Sequence, residues 1–99
     1  GLASSQTREV ISGVSSRLVA QGDTATATRI IKKLNKQGLK LFRQGKYKEA
    51  LELFKKALVI SREISDKESE SRILSNIGSV YDNLGEYQQA LDYNQQALT

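Results

Sequence analysis

Apolar and small residues recur along this chain at intervals of three and four, the spacing of one face of an α-helix. Ile30, Ile31, Leu34, Gly38 and Leu41 form one such stripe, and Ala50, Leu51, Phe54, Ala57, Leu58 and Ile64 form the next. Gly45 falls between them, where a helix has to stop, and a glycine there reaches the left-handed conformation without strain. Gly85 punctuates the second half in the same way. The segment Ser65-Asp66-Lys67-Glu68 has the Ser-x-x-Glu spacing of a capping box, which makes Ser65 the expected start of the following helix. The pattern predicts four helices, over roughly residues 25–44, 47–64, 66–84 and 87–98.

The two halves of that pattern are copies of one another. Laid over each other at an offset of 40, residues 31–59 and 71–99 share eight identities: Leu34/Leu74, Gly38/Gly78, Gly45/Gly85, Tyr47/Tyr87, Ala50/Ala90, Leu51/Leu91, Ala57/Ala97 and Leu58/Leu98. Average composition gives about two by chance, so the unit is duplicated. Small residues at Gly38, Ala50 and Ala57, and at Gly78, Ala90 and Ala97, let helices approach closely, while Tyr47, Phe54, Tyr81 and Tyr87 are expected to fill the core beside them.

Residues 1–23 lie outside the repeat and are rich in Ser, Thr and Gln. Within them Val10, Ile11, Val14, Leu18 and Val19 are spaced for an amphipathic helix closed by Gly22, with Asp23 and Thr24 as candidate caps for the next one. Three arrangements stay open for this segment: a helix covering the open end of the repeat stack, a frayed leader, or a segment docked elsewhere on this or another chain. The expected division is a leader over 1–23 and a repeat domain over 24–99, with one unit at 31–70 and an incomplete unit at 71–99.

Composition removes most catalytic chemistry. The 99 residues contain no Cys, His, Trp, Met or Pro. Disulfides, cysteine-based metal sites and every nucleophile–histidine arrangement are therefore excluded. The eleven acids are scattered over helical surfaces, and no Gly-rich phosphate loop is present. No catalytic residue, metal ligand or cofactor is indicated, and the chain reads as a non-enzyme. No apolar run approaches the roughly 18 residues that a membrane span needs.

The ordered segments Gln37-Gly38-x-x-Leu41, Gly45-Lys46-Tyr47, Ala50-x-x-x-Phe54 and Ala57, repeated as Ile77-Gly78-x-x-Tyr81, Gly85-Glu86-Tyr87, Ala90 and Ala97, resemble the tetratricopeptide repeat. The resemblance covers residues 31–99 and implies an all-α fold of antiparallel helix pairs in a right-handed superhelix with a concave groove. Three features depart from the usual pattern: a period of 40 rather than 34, no Pro at the end of a unit, and Asn94 where the first unit has Phe54. The longer period is similar to the extended repeats of kinesin light chains and spindle-orientation adaptors, whose Asn-x-Gly signature looks like Asn76-Ile77-Gly78, and bacterial scaffolds use such repeats too. Because the second unit is incomplete, the expectation is a piece of a longer array or a chain that self-associates.

The resemblance also places a binding groove on the first helix of each unit. Its positions carry over to Lys32, Asn35, Lys36, Leu39, Phe42 and Arg43, then to Arg72, Ser75, Asn76, Ser79, Asp82 and Asn83. Charge points the same way: residues 29–48 hold eight Lys or Arg and no acid, whereas residues 63–99 hold seven acids against two bases. The expected ligand is an acidic protein or peptide segment, its backbone bonded by Asn35 and Asn76 and its carboxylates gripped by Arg43 or Arg72. Lys33 and Lys40 read as a solvated face. The carboxylate clamp of chaperone cochaperones fits less well, since Asn35 and Leu39 stand where it has Lys and Asn. Nucleic acid is not expected, because no aromatic stacking platform or basic helix-turn-helix accompanies the charge. The alternative to ligand binding is a self-associating structural repeat without a separate partner.

Overall fold

The computed structural model of the protein describes residues 23–99, which form four α-helices: α1 (Thr24–Arg43), α2 (Tyr47–Glu63), α3 (Lys67–Asn83) and α4 (Tyr87–Ala97). Their ends fall within a residue of the boundaries expected from the sequence. The amphipathic stretch from Val10 to Val19 lies outside the described residues.

Three turns of one design join the helices. In Gln44-Gly45-Lys46, Ile64-Ser65-Asp66 and Leu84-Gly85-Glu86 the middle residue has a positive φ, of 78° at Gly45, 56° at Ser65 and 76° at Gly85. The N–H of the third residue then donates to a carbonyl five positions back: Lys46 to Leu41 at 2.9 Å, Asp66 to Ser61 at 2.8 Å, and Glu86 to Tyr81 at 2.9 Å. This closure satisfies a carbonyl that the helix end leaves open and reverses the chain at once. The same third residue is the N-cap of the next helix.

The capping-box expectation is corrected at this turn. Ser65 does not cap α3; it occupies the left-handed position that ends α2, and the cap is Asp66 one residue later. The Asp66 carboxylate accepts from the Ser69 N–H at 3.1 Å and from Ser69 Oγ at 2.6 Å, so the pairing is Asp-x-x-Ser rather than Ser-x-x-Glu. At the front of α1, Asp23 accepts from the Thr26 N–H at 3.2 Å as the caps of that helix were expected to do. Hydrogen bonding from Thr26, with a smaller contribution from Arg29, holds the Asp23 carboxyl below its ordinary value. Its folded-state pKa is depressed, so the cap's contribution is present above the unfolded carboxylate pKa and is lost as pH falls through the lower, folded one.

Consecutive helices pack on one another, and α1 also touches α3. The core is Ala27, Ile31, Ala50, Phe54, Ala57, Leu58, Ile60, Ile73, Leu74, Ile77 and Val80. Phe54 is fully buried over Gly38: a Cβ built at Gly38 would lie 2.5 Å from the ring's edge. Asn94 repeats this contact in the second pair, lying over Gly78 with its Cγ 2.8 Å from where a Cβ would be. The last helix is thus seated in the same register as α2, though with a smaller, polar residue at the contact. Ser71 Oγ donates to the Ala97 carbonyl at 2.6 Å, tying the start of α3 to the end of α4 and fixing their antiparallel order.

One expected core residue is not in the core. Tyr87 is 71% exposed, as are Leu91 by 50% and Leu98 by 88%, because no helix packs on that face of α4 among the described residues. Their equivalents on α2, Tyr47, Leu51 and Leu58, are half-buried or buried.

Two stability measurements test this construction. Ser65→Gly removes the cost of a non-glycine residue in the left-handed region, about 1–2 kcal/mol, less the extra chain entropy that glycine loses on folding; a net gain of about 0.5–1 kcal/mol in urea unfolding is expected. Gly38→Ala should lower stability by about 1–3 kcal/mol through overpacking on the enclosed Phe54 ring. Gly78→Ala should be close to neutral, because the half-exposed Asn94 can swing aside while alanine favours the helix by about 1 kcal/mol. Equal losses at the two glycines would show that the two contacts do not differ as described.

Candidate binding surface

Three-residue turns bring α1 and α3 side by side, since each reversal sends the chain back and two reversals restore the direction. The residues at the carried-over groove positions recur at three- and four-residue intervals on each of these helices, so each set forms one stripe. Asn35, Leu39, Phe42 and Asn76 are half-buried, while Lys32, Lys36, Arg43, Arg72, Ser75, Ser79, Asp82 and Asn83 are exposed.

Asn35 and Asn76 meet. Asn76 Nδ2 donates to Asn35 Oδ1 at 2.8 Å, a side-chain bond that joins the two helices. Each amide keeps a free function among the described residues: the Asn35 amino group as a donor and the Asn76 carbonyl oxygen as an acceptor. A donor and an acceptor side by side match the C=O and N–H of a peptide backbone. Further along, the Tyr47 hydroxyl donates to Asn83 Oδ1 at 3.5 Å, and Asn83 Nδ2 donates to the Ser79 carbonyl at 2.9 Å. Phe42 packs edge-on against Tyr47 with ring centroids 5.5 Å apart. Tyr47, assigned by its sequence position to the core alone, therefore also borders this surface. Its spacing gave no signal of that, because its partner Asn83 is 36 residues away.

The charged residues divide into free and paired. Among the described residues the ion pairs are Arg62 with Glu70 at 3.7 Å and Arg72 with Glu68 at 3.3 Å, so Lys32, Lys36 and Arg43 are unpaired cations on α1. Arg72 was expected to grip a ligand carboxylate, and it is engaged by Glu68 one turn before it. That pair is exposed on both sides, and such helical pairs are worth about 0.3–0.5 kcal/mol, so an incoming carboxylate can displace it at small cost. Lys33 and Lys40 are exposed; at 100° per residue they lie about 160° and 140° around α1 from Asn35, although Lys40 neighbours Lys36 and Arg43 at four- and three-residue spacing. Among the described residues no group of three acidic or metal-ligating side chains is placed to hold a metal ion.

Four helices in two like pairs, joined by like turns, define a helical-repeat module. The chain belongs to the tetratricopeptide repeat family: the family's model, described as tetratricopeptide repeat, matches residues 29–99. No curated protein and no solved structure matches it. Tetratricopeptide repeats are in general scaffolds for protein–protein interaction and are typically non-catalytic, and membership carries that general scaffold role to the chain.

Proposed function

We propose that this repeat domain binds an acidic segment of another protein in extended form, across the face shared by α1 and α3. The observation that carries the reading is the Asn35–Asn76 pair, a half-buried junction with one free donor and one free acceptor, set beside a row of unpaired cations. Lys32, Lys36 and Arg43 line one side, Leu39 gives an apolar floor, and Arg72 and Asn83 border the other helix. The charge asymmetry supports an acidic ligand, since the α1 region carries eight bases and no acid over residues 29–48. Acidic character steers the segment in, and hydrogen bonds to its backbone hold it in register. The 40-residue period is like that of kinesin light chains and spindle-orientation adaptors, and supports placing the chain among extended repeats.

The test is binding of a Glu-rich peptide, measured by fluorescence anisotropy for the intact chain and three variants. Asn76→Ala deletes hydrogen bonds without changing the field, and is expected to weaken binding by about 1–3 kcal/mol with salt dependence almost unchanged. Arg43→Ala is expected to weaken binding and flatten the salt dependence. Lys40→Ala, about 140° around α1 from Asn35, is the control and should weaken binding less than Arg43→Ala does. Should Lys40→Ala weaken binding as much as Arg43→Ala, with Asn76→Ala neutral, the α1–α3 face is not the site and the attraction is diffuse.

A further inference from the structure

The Asn35–Asn76 bond sets α1 and α3 in register, and in that register the two sides of the junction are unlike. Toward the helix N-termini, Lys32 precedes Asn35 by three residues and Arg72 precedes Asn76 by four, about 4.5 and 6 Å along the helix axes. Both are exposed; Lys32 has no ion pair among the described residues, and Arg72 has the exposed 3.3 Å pair with Glu68. Toward the C-termini, Leu39 follows Asn35 by four and Ser79 follows Asn76 by three, and neither carries charge. The polar groups on this side donate within the chain: Ser79 Oγ to the Ser75 carbonyl at 3.2 Å, and Asn83 Nδ2 to the Ser79 carbonyl at 2.9 Å. Beyond them Arg43 and Asp82 are both exposed and opposite in sign, so their charges offset.

An extended strand whose N–H and C=O groups face the two asparagines projects its side chains at right angles to those bonds, alternately to one side and the other. Here one side is cationic and the other uncharged. We infer, resting on the binding reading above, that the segment this surface selects carries an acidic residue at every second position with uncharged residues between. Side chains at i and i+2 turn toward Lys32 and Arg72, and those at i+1 and i+3 toward Leu39 and Ser79. Two residues of extended chain advance about 6.6 Å, and packed helix axes are roughly 8–10 Å apart, so successive acids reach successive helices through the long cationic side chains. A run of adjoining acids fits less well. Every second carboxylate in it turns toward Leu39 and Ser79 and loses water without gaining a cation. Diffuse attraction to α1 has the opposite preference, because adjoining carboxylates concentrate the charge.

Two labelled, end-capped octapeptides of one composition test this by fluorescence anisotropy: Glu-Ser repeated four times, and four Glu followed by four Ser. The alternating peptide is expected to bind about three- to tenfold more tightly, the worth of one or two exposed charge contacts. Asn76→Ala, which frees the ligand backbone, should bring the two peptides close to equality. Leu39→Lys, which makes the uncharged side cationic, should tighten the block peptide more than the alternating one and narrow the gap. Equal affinities for the two peptides, with Asn76→Ala still weakening each, would overturn the alternation and leave the α1–α3 site standing. A preference for the block peptide, or a preference for alternation that survives both variants, would overturn it as well. Absence of binding by either peptide would overturn the alternation and the site together.

Discussion

Everything in this fold depends on the turn that recurs every twenty residues, at positions 45, 65 and 85. One residue in the left-handed region and one hydrogen bond to a carbonyl five residues back end a helix, reverse the chain, and hand the next helix its N-cap. With only three residues between helices, each must lie against the one before it. Alternate helices then run the same way on the same side, which is why α1 and α3 share a face. The Asn35–Asn76 bond is a consequence of that spacing, and so is the contact of Tyr47 with Asn83.

Close packing of the reversed helices falls to small residues. Gly38 admits the Phe54 ring and Gly78 admits Asn94, and the difference between an enclosed ring and a half-exposed amide separates the two units. The first pair is covered by α3 and has a filled core. The second ends in a face with three exposed large side chains, opposite an α1 end that carries lysines. A duplicated sequence has thus produced a stack whose ends are unlike: one suited to water and anions, the other to apolar cover.

Much of this was legible in the sequence, for identifiable reasons. Gly45 and Gly85 announce their turns because glycine is the residue that reaches positive φ freely, and the eightfold match at an offset of 40 announces the duplication. At the middle turn the sequence pattern points one residue early: Ser65 adopts a conformation unusual for its type, and Ser-x-x-Glu is a stronger pattern than the Asp-x-x-Ser that operates. Phe54 lies in the core as its position predicts, but Tyr87, the equivalent of half-buried Tyr47, is exposed, since burial depends on a neighbour that the repeat pattern does not supply. For the binding surface, the stripe positions were legible and their couplings were not. Asn35 and Asn76 are 41 apart, one off the repeat, so no comparison of equivalent positions pairs them; Arg72 with Glu68 is an ordinary helical pair that the groove positions hide.

The central claim is that an acidic peptide is held at the α1–α3 junction by the two asparagines rather than by the charge of α1 at large. Side-chain amide resonances report this directly. Titrating a Glu-rich peptide into nitrogen-15-labelled protein should shift the side-chain amides of Asn35 and Asn76 together with the backbone amides of Lys32, Lys36 and Arg43, while Lys33 and Gln37, about 160° around α1 from Asn35, shift little. Shifts of equal size on both sides of α1, with the Asn35 and Asn76 amides unmoved, would contradict the account.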